Sequence, residues 1–333
     1  MRKHGARKRP TPMRCGGCLR EILKIQVSDI NNQKEFLDFG TVTYTEKTRA
    51  TIKVQDGCNN FCSYCLIPYA RGRIRSRKKE SVLEEVKQIA KKGIKEVVIT
   101  GIHIASYGKD FEEEYKLIDL LEDINQIEGI RRIRLGSLEP NVITEEFVNR
   151  LSKLEKMCNH FHLSLQSGCN ETLKRMNRKY RVEQIEDSVN LLRKKFKDVA
   201  LTTDIIVGFP GESQEEFETT YSFLEKIKLV KMHIFKYSPR EGTRAAVMPN
   251  QIDGNIKEQR SQKLIELSNK NEKEFLNAQI GKKVEVLFEE QDGEYWKGHT
   301  SNYLVVKTEG TNLENVLEIV KVNMANGFTL MAK

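Results

Sequence analysis

From about residue 50 to residue 237, six short runs rich in Val and Ile alternate with amphipathic stretches. The apolar runs are 50–54, 97–100, 133–135, 161–165, 201–207 and 232–237. Between them lie 81–92, 117–127, 144–154, 182–196 and 213–227, where apolar residues recur at helical spacing. Strict alternation of strand and helix implies a parallel sheet whose crossovers are the helices. Six such units are expected to curl into a partial barrel, open on one side. In parallel sheets, sites lie at the C-terminal ends of the strands. A helical connector is expected at about 256–278. Five short strands, 283–288, 295–300, 303–307, 316–322 and 328–331, then read as a small β-barrel. Turns at Asp292-Gly293 and Asn326-Gly327 punctuate it. In size it resembles oligonucleotide-binding barrels. The expected organisation is a segment 1–47, a core 48–245, a connector 246–279 and a barrel 280–333.

One loop sits where the site is expected. Just after the first strand comes Gln55-Asp-Gly-Cys58-Asn-Asn-Phe-Cys62-Ser-Tyr-Cys65. A cubane cluster has four irons, usually held by four thiolates. Three closely spaced cysteines can hold three irons and leave the fourth open to an external ligand. S-adenosylmethionine can chelate that iron through its amino and carboxylate groups. Reduction then breaks a sulfonium bond and yields a carbon radical. A zinc site needs a fourth protein ligand. His103 and Cys15 are conceivable, but neither has a usual spacing. An electron-transfer ferredoxin would need a fourth cysteine in place. The Tyr64 ring is expected beside the cluster, where it could pack on the adenine. Cys58, Cys62 and Cys65 are therefore the metal ligands and catalytic centre of this reading, with a 4Fe-4S cluster and S-adenosylmethionine as cofactors.

The other cysteines and the charge set bounds. Seven cysteines, odd in number and unevenly spaced, do not suit a secreted disulfide scaffold. Cys158 and Cys169 read as packed thiols. The net charge of +9 favours a polyanionic partner or reflects a lysine-rich background. Clustering says more. Arg71 to Lys79 holds six cations in nine residues, and Lys174 to Arg181 holds five in eight. Residues 1–33 are basic, hold Cys15 and Cys18, and carry one short apolar run at 22–27, so poor order is expected there. No run approaches the ~20 apolar residues that cross a bilayer. No secretory signal is visible. A soluble, cytoplasmic protein without membrane attachment is expected.

The motifs together carry a family resemblance. The run Gly57-Cys-Asn-Asn-Phe-Cys-Ser-Tyr-Cys-Leu-Ile-Pro-Tyr-Ala-Arg-Gly72 resembles the radical S-adenosylmethionine (radical SAM) methylthiotransferases. So do Thr100-Gly-Ile-His103, His162-Leu-Ser-Leu-Gln-Ser-Gly168, Met176-Asn-Arg-Lys-Tyr180 and Asp204-Ile-Ile-Val-Gly-Phe-Pro-Gly-Glu212. The terminal barrel is similar to the family's RNA-binding TRAM domain. Within the family, 70–77 and 101–108 look most like the branch acting on N6-threonylcarbamoyladenosine in tRNA. That branch attaches a methylthio group to C2 of the adenosine next to the anticodon.

The resemblance implies roles. Thr100 and Gly101 would meet the methionine end of the cofactor through their backbone; the plain alternative is a strand-to-helix turn. Gln166 and Ser167 would meet the ribose, with capping as Ser167's other reading. Arg178 would pair with the cofactor carboxylate or lie on a solvated basic face. Ile206 and Gly208 would let the adenine lie close to the strand. The cations of 71–79 would contact phosphate or else form a solvated helix entry, and Tyr295, Trp296 and Tyr303 would hold RNA unless they are barrel core. The implied partners are tRNA and an electron donor such as flavodoxin or ferredoxin. The family's further N-terminal domain, with three cysteines for a second cluster, has only about 35 residues in its place here, and Cys15-Gly-Gly-Cys18 does not follow its pattern. Two other outcomes are carried forward: methylthiolation of a ribosomal-protein side chain, and a tRNA-binding fragment competent only for cofactor cleavage.

Overall fold

The computed structural model describes Ile30, residues 33–38, Gly40 and residues 48–333. The Cys15–Cys18 pair and the apolar run 22–27 lie outside the described residues. The chain runs β1 (Arg49–Asp56), α1 (Ile67–Arg71), β2 (Arg75–Ser76), α2 (Lys79–Lys91), β3 (Glu96–Gly101), α3 (Leu117–Asn125), β4 (Arg132–Leu135) and α4 (Glu145–Leu151). It continues through β5 (His160–Gln166), α5 (Asn170–Arg175), α6 (Val182–Lys195), β6 (Ala200–Val207), α7 (Gln214–Ile227), β7 (Lys231–Lys236) and the long α8 (Gly254–Asn277). The last elements are β8 (Lys283–Asp292), β9 (Tyr295–Thr300), β10 (Val305–Thr308), β11 (Leu317–Asn326) and β12 (Thr329–Ala332).

The helices form where the apolar spacing put them. In α2, Val82, Val86 and Ile89 share the buried face. In α7, the Ser213 hydroxyl accepts from Glu216 N while the Glu216 side chain caps the Ser213 N–H in return. Strands β1, β3 and β4 pair in parallel, as do β5, β6 and β7. Parallel bridges Ile133–Met157 and Leu138–Leu163 join the two sets into one curled sheet. Strand β5 alternates: Phe161, Leu163 and Leu165 are fully buried under the helices, while His160, His162, Ser164 and Gln166 face the concave side. The inside of the half-barrel is thus polar, unlike a closed barrel packed with branched residues. The short β2 pairs antiparallel with β1 at one edge, and β7 forms the other.

Strands β8 to β12 close a barrel in the order β10-β12-β11-β8-β9. Its core includes Val286, Phe288, Val306, Val322 and Leu330. Trp296 packs against that core, the alternative to RNA contact for one of the three aromatics. The barrel docks on the N-terminal ends of the half-barrel strands. Arg132, opening β4, donates from Nη1 to the His299 carbonyl at 2.8 Å and from Nη2 to the Glu285 carbonyl at 2.8 Å. Tyr303, with φ of 67°, lies against His299 and under Arg134 at 4.7 and 4.6 Å. It locks the two units together and is not free to stack on bases through both faces. The barrel therefore sits at the end of the sheet opposite the cysteine loop. Residues 280–333 carry six Lys against eight Asp and Glu, so net charge does not draw this barrel to RNA.

Candidate active site

The cysteine loop leaves the C-terminal end of β1 through a turn that only glycine fits. Gly57 has φ of +71°, and a Cβ there would come 1.8 Å from the Arg73 carbonyl oxygen. The Cys58 N–H donates to the Gly72 carbonyl at 3.1 Å, so the two ends of the loop close on each other. Phe61, just before Cys62, also has a positive φ of 49°. Asn177 holds it by donating to the Phe61 carbonyl at 2.8 Å. Replacing Gly57 with Ala is expected to cost about 1–3 kcal/mol and to lower the iron the loop retains. Melting temperature and iron per chain read this out; no change in either would show that the turn does not shape the loop.

The three cysteines are all partly exposed. Each receives a donor. Asn60 N–H points to Cys58 Sγ at 3.5 Å, Ile67 N–H to Cys65 Sγ at 3.4 Å, and Arg178 Nη1 to Cys62 Sγ at 3.1 Å. Burial pushes the Cys58 thiol up to about 11 and raises Cys65 as well, so metal must displace protons to bind them. Among the described residues no three His, Cys, Asp or Glu side chains converge on a point that one ion could occupy. A cubane does not need such convergence, because its thiolates bind separate irons. Three thiols on one loop, each facing an N–H, fit a cluster better than a single zinc.

Behind the loop lies a group of buried polar residues that the sequence reading passed over. Gln55 is fully buried and bonds the Gly57 carbonyl at 2.7 Å, while its Oε1 accepts from His103 N at 2.7 Å. This ties the loop to the turn after β3. Gly101 ends β3 just before that turn, where a Cβ would meet the Gln55 carbonyl at 2.8 Å; Thr100 precedes it. Glu139, after β4, accepts from Asn60 Nδ2 and Arg178 Nη2, both at 2.8 Å, and contacts His103 Nε2 at 2.9 Å. Burial alone would raise the Glu139 carboxyl, but His103 and Arg178 outweigh it and hold it low. A lone acid after a strand has no spacing to betray it. Only its place at a strand's C-terminal end was a signal.

Tyr64, Gln166 and Ile206 come together. The Tyr64 hydroxyl donates to Gln166 Oε1 at 3.2 Å, and Tyr64 and Ile206 pack on the cluster of Met176, Phe209, Tyr237 and Ala245. Gln166 has φ of 68°. Ser167 is turned the other way. Its hydroxyl lies 3.3 Å from Thr220 and accepts from Cys169 N at 3.2 Å, a turn-capping arrangement. Gly208, with φ of +68°, donates to Glu212 Oε2 at 2.6 Å, and its open side is covered by Lys257 of α8. The Glu212 carboxylate also takes Arg260 of α8 at 2.7 Å, which staples the connector to this end of the sheet.

The basic stretches divide by burial. Arg75 and Arg77 are 2% and 5% exposed. Arg75 donates to the Arg71 carbonyl at 2.8 Å, and Arg77 bridges Asp38 and Glu85. These two hold the loop in shape and do not face phosphate. Arg71, Arg73, Lys78, Lys174, Lys179 and Arg181 are exposed, in two stretches that touch the cysteine loop through Gly72 and through Asn177 and Arg178.

With this geometry in view, the relatives are informative. The Radical SAM superfamily profile matches residues 52–224. Threonylcarbamoyladenosine tRNA methylthiotransferase MtaB of Bacillus subtilis (strain 168) is 41% identical over 304 residues, covering 90% of this chain and 67% of that protein. The MtaB protein of Aquifex aeolicus (strain VF5) is 42% identical over 86% of this chain and 68% of its own length. The tRNA-2-methylthio-N(6)-dimethylallyladenosine synthase of Thermoanaerobacter sp. (strain X514) is 39% identical over 93% of this chain and 66% of its own. The chain thus spans about two thirds of the length of these curated relatives. Among solved structures, the radical S-adenosylmethionine methyltransferase TsrM of Kitasatospora setae superposes with a TM-score of 0.51 at 20% identity, over 60% of this chain and 38% of that one. Coproporphyrinogen III oxidase (HemN) of Escherichia coli does so with 0.50 at 18%, over 68% and 54%. Those two likenesses show the partial-barrel fold. A 4Fe-4S cluster and S-adenosylmethionine are this chain's cofactors. The chain belongs to the radical SAM methylthiotransferase family, enzymes that transfer a methylthio group, and within it to the MtaB branch.

Proposed function

We propose that this chain binds its cluster through Cys58, Cys62 and Cys65 and methylthiolates C2 of N6-threonylcarbamoyladenosine next to the anticodon of tRNA. The carrying observation is the three-cysteine loop at the C-terminal end of β1, with an N–H aimed at each sulfur and exposed cations in the two basic stretches that touch it. When bound, the cluster and S-adenosylmethionine would supply radical chemistry, which can reach an adenine carbon that acid–base chemistry cannot. The chain's own residues hold and exclude. Gln55 and Glu139 lock the loop to the neighbouring strand ends. Tyr64, Gln166 and Ile206 form a wall beside it for the cofactor's nucleoside. Two MtaB relatives support the threonylcarbamoyl substrate, as do the 70–77 and 101–108 motifs. Relatives named for tRNA modification disfavour a ribosomal-protein substrate. The reading places the enzyme in the cytoplasm with a flavodoxin or ferredoxin as electron donor. Among the described residues no helix is long and apolar enough to cross a membrane.

The test is mass spectrometry of tRNA nucleosides from a host lacking its own enzyme and carrying this gene. 2-Methylthio-N6-threonylcarbamoyladenosine is expected. Methylthiolation of dimethylallyladenosine in its place would overturn the substrate.

RNA attraction is expected from the rim of the loop and not from the C-terminal barrel. Arg71→Glu with Arg73→Glu should weaken tRNA binding and flatten its log–log salt slope by about 2, close to 0.9 per lost phosphate contact. 5′-Deoxyadenosine formation without RNA should persist. An unchanged salt slope would place the phosphate contacts elsewhere.

A further inference from the structure

Strand β7 is an edge of the half-barrel, and it presents a bare aromatic ring to the concave side. Met232 lies in the main core and Ile234 packs against it, so the alternating residues Lys231, His233 and Phe235 face the other way. Phe235 is 53% exposed, and no ring or cation lies against it among the described residues. It stands in register with Ile206 of the cofactor wall. One same-face step back along the strand, about 7 Å at the usual rise, is His233, in register with Asp204. His162 of β5 is held at both nitrogens, by Thr202 Oγ1 at 3.0 Å and Asp204 Oδ2 at 3.3 Å. The His233 ring lies 5.8 Å from that of His162, and neither of its nitrogens has a hydrogen-bond partner among the described residues. Beyond His233 a cavity of about 530 Å³ runs towards the C-terminal barrel, with Thr202, Lys231 and Phe328 in its lining.

We propose that this column binds the target nucleoside: the adenine stacks on Phe235, and His233 hydrogen-bonds the substituent on N6. Only the second half rests on the threonylcarbamoyl substrate. A base in an anticodon loop must leave its stack to meet a radical, and an aromatic side chain at the site offsets that cost. Phe235 puts such a face beside the wall for the cofactor's nucleoside. With C2 turned to that wall, N6 points away from it, down the strand. A threonylcarbamoyl group carries a carboxylate, a hydroxyl and a urea carbonyl, each able to accept a hydrogen bond. An imidazole presents an N–H in either tautomer. His233 can therefore donate to the group, and the cavity beyond has room for it. A dimethylallyl group has no such acceptor. It would cover His233 and leave that N–H unpaired, the mismatch by which a hydrogen-bonding site rejects an apolar analogue.

The experiment measures binding of three anticodon stem–loop RNAs to the reconstituted protein. They are alike except at the target adenosine, which is unmodified, threonylcarbamoylated or dimethylallylated. Wild type should prefer the threonylcarbamoylated hairpin to the unmodified one. His233→Leu should lose that preference, a change of about tenfold, and bind the unmodified hairpin as wild type does. His233→Gln keeps a donor and should retain part of the preference. Phe235→Ala should weaken all three hairpins about tenfold and leave the affinity for S-adenosylmethionine unchanged. Both side chains are exposed, so these variants should fold. Weakened cofactor affinity in Phe235→Ala with wild-type RNA binding overturns the proposal, because the ring would then serve the cofactor. A preference unmoved in His233→Leu overturns it too. A wild type that prefers the dimethylallylated hairpin overturns the threonylcarbamoyl substrate itself, and the role of His233 with it. The Phe235 result, read on the unmodified hairpin, still decides the stacking.

Discussion

Cys62→Ala should empty the site of iron, from about four atoms per reconstituted wild-type chain to near none. In the proposed reading the three sulfurs are the whole protein complement for this cluster, because the fourth iron is kept for S-adenosylmethionine. Two thiolates cannot replace three in holding a cubane against chelators. Cys62 is also the cysteine that meets Arg178, so its loss leaves Nη1 of a buried guanidinium without that acceptor. Formation of 5′-deoxyadenosine should drop below detection. The fold should survive, since Cys62 is partly exposed and lies outside the apolar cores. Cys169→Ala is the control. That thiol is buried among packed side chains, and its loss should leave the iron content unchanged. Iron analysis and circular dichroism on the same preparations separate loss of cluster from loss of fold. Wild-type iron in Cys62→Ala would sink the assignment, as would a tightly bound zinc in place of iron.

What the sequence disclosed depended on how far each signal repeated. The six parallel strands were legible because Val and Ile runs recur between amphipathic segments, and the outer faces of those strands are what the helices bury. The cysteine loop was legible because three thiols fall in an eight-residue span, 58–65, just after a strand end. Strand β2 was not. It is two residues long, lies in a basic stretch, and is held by Asp110, which bonds both Ser76 N at 2.8 Å and the Ser76 hydroxyl. No local pattern records a tertiary contact of that kind. Gln55, Asn60 and Glu139 were missed for a related reason: each is a single polar residue whose partners come from other strand ends. The basic stretch at 71–79 misled in part, because charge in a sequence does not show that Arg75 and Arg77 turn inward. Strand β4 hid most. Its residues Arg132 and Arg134 would be solvated in an isolated half-barrel, and only the docked C-terminal barrel buries them.

That burial makes Glu96 the carboxylate on which the docking depends. Its side chain is fully buried at the start of β3. It bonds Arg49 Nε at 2.7 Å and Arg134 Nε at 2.7 Å, with Arg132 Nη1 at 3.9 Å. Arg132 and Arg134, 3% and 4% exposed, in turn hold carbonyls of the C-terminal barrel: those of His299, Glu285, Ser301 and Thr300. Glu96→Ala would leave three guanidinium groups crowded at the interface without this shared counter-charge. The expected loss is about 3–5 kcal/mol, the range for breaking a buried ion pair from one side. Urea unfolding should show it as a lower midpoint, or as the barrel's early release in a separate first transition. The pH dependence gives an independent check. Burial by itself would raise the Glu96 carboxyl, but Arg134, Arg49 and Arg132 outweigh it and hold it below its usual 4.5. A carboxyl lowered in the folded state stabilises the fold above its unfolded value, and that stability is lost as pH falls through the folded value. Wild type should therefore lose stability in acid below about pH 4.5 more steeply than Glu96→Gln. The difference between the two curves isolates Glu96 from Glu289 and Glu139, which are also held low. Parallel acid curves, or a Glu96→Ala protein within about 1 kcal/mol of wild type, a cost typical of an exposed pair, would show that the arginines find other partners and that the barrel docks without this carboxylate.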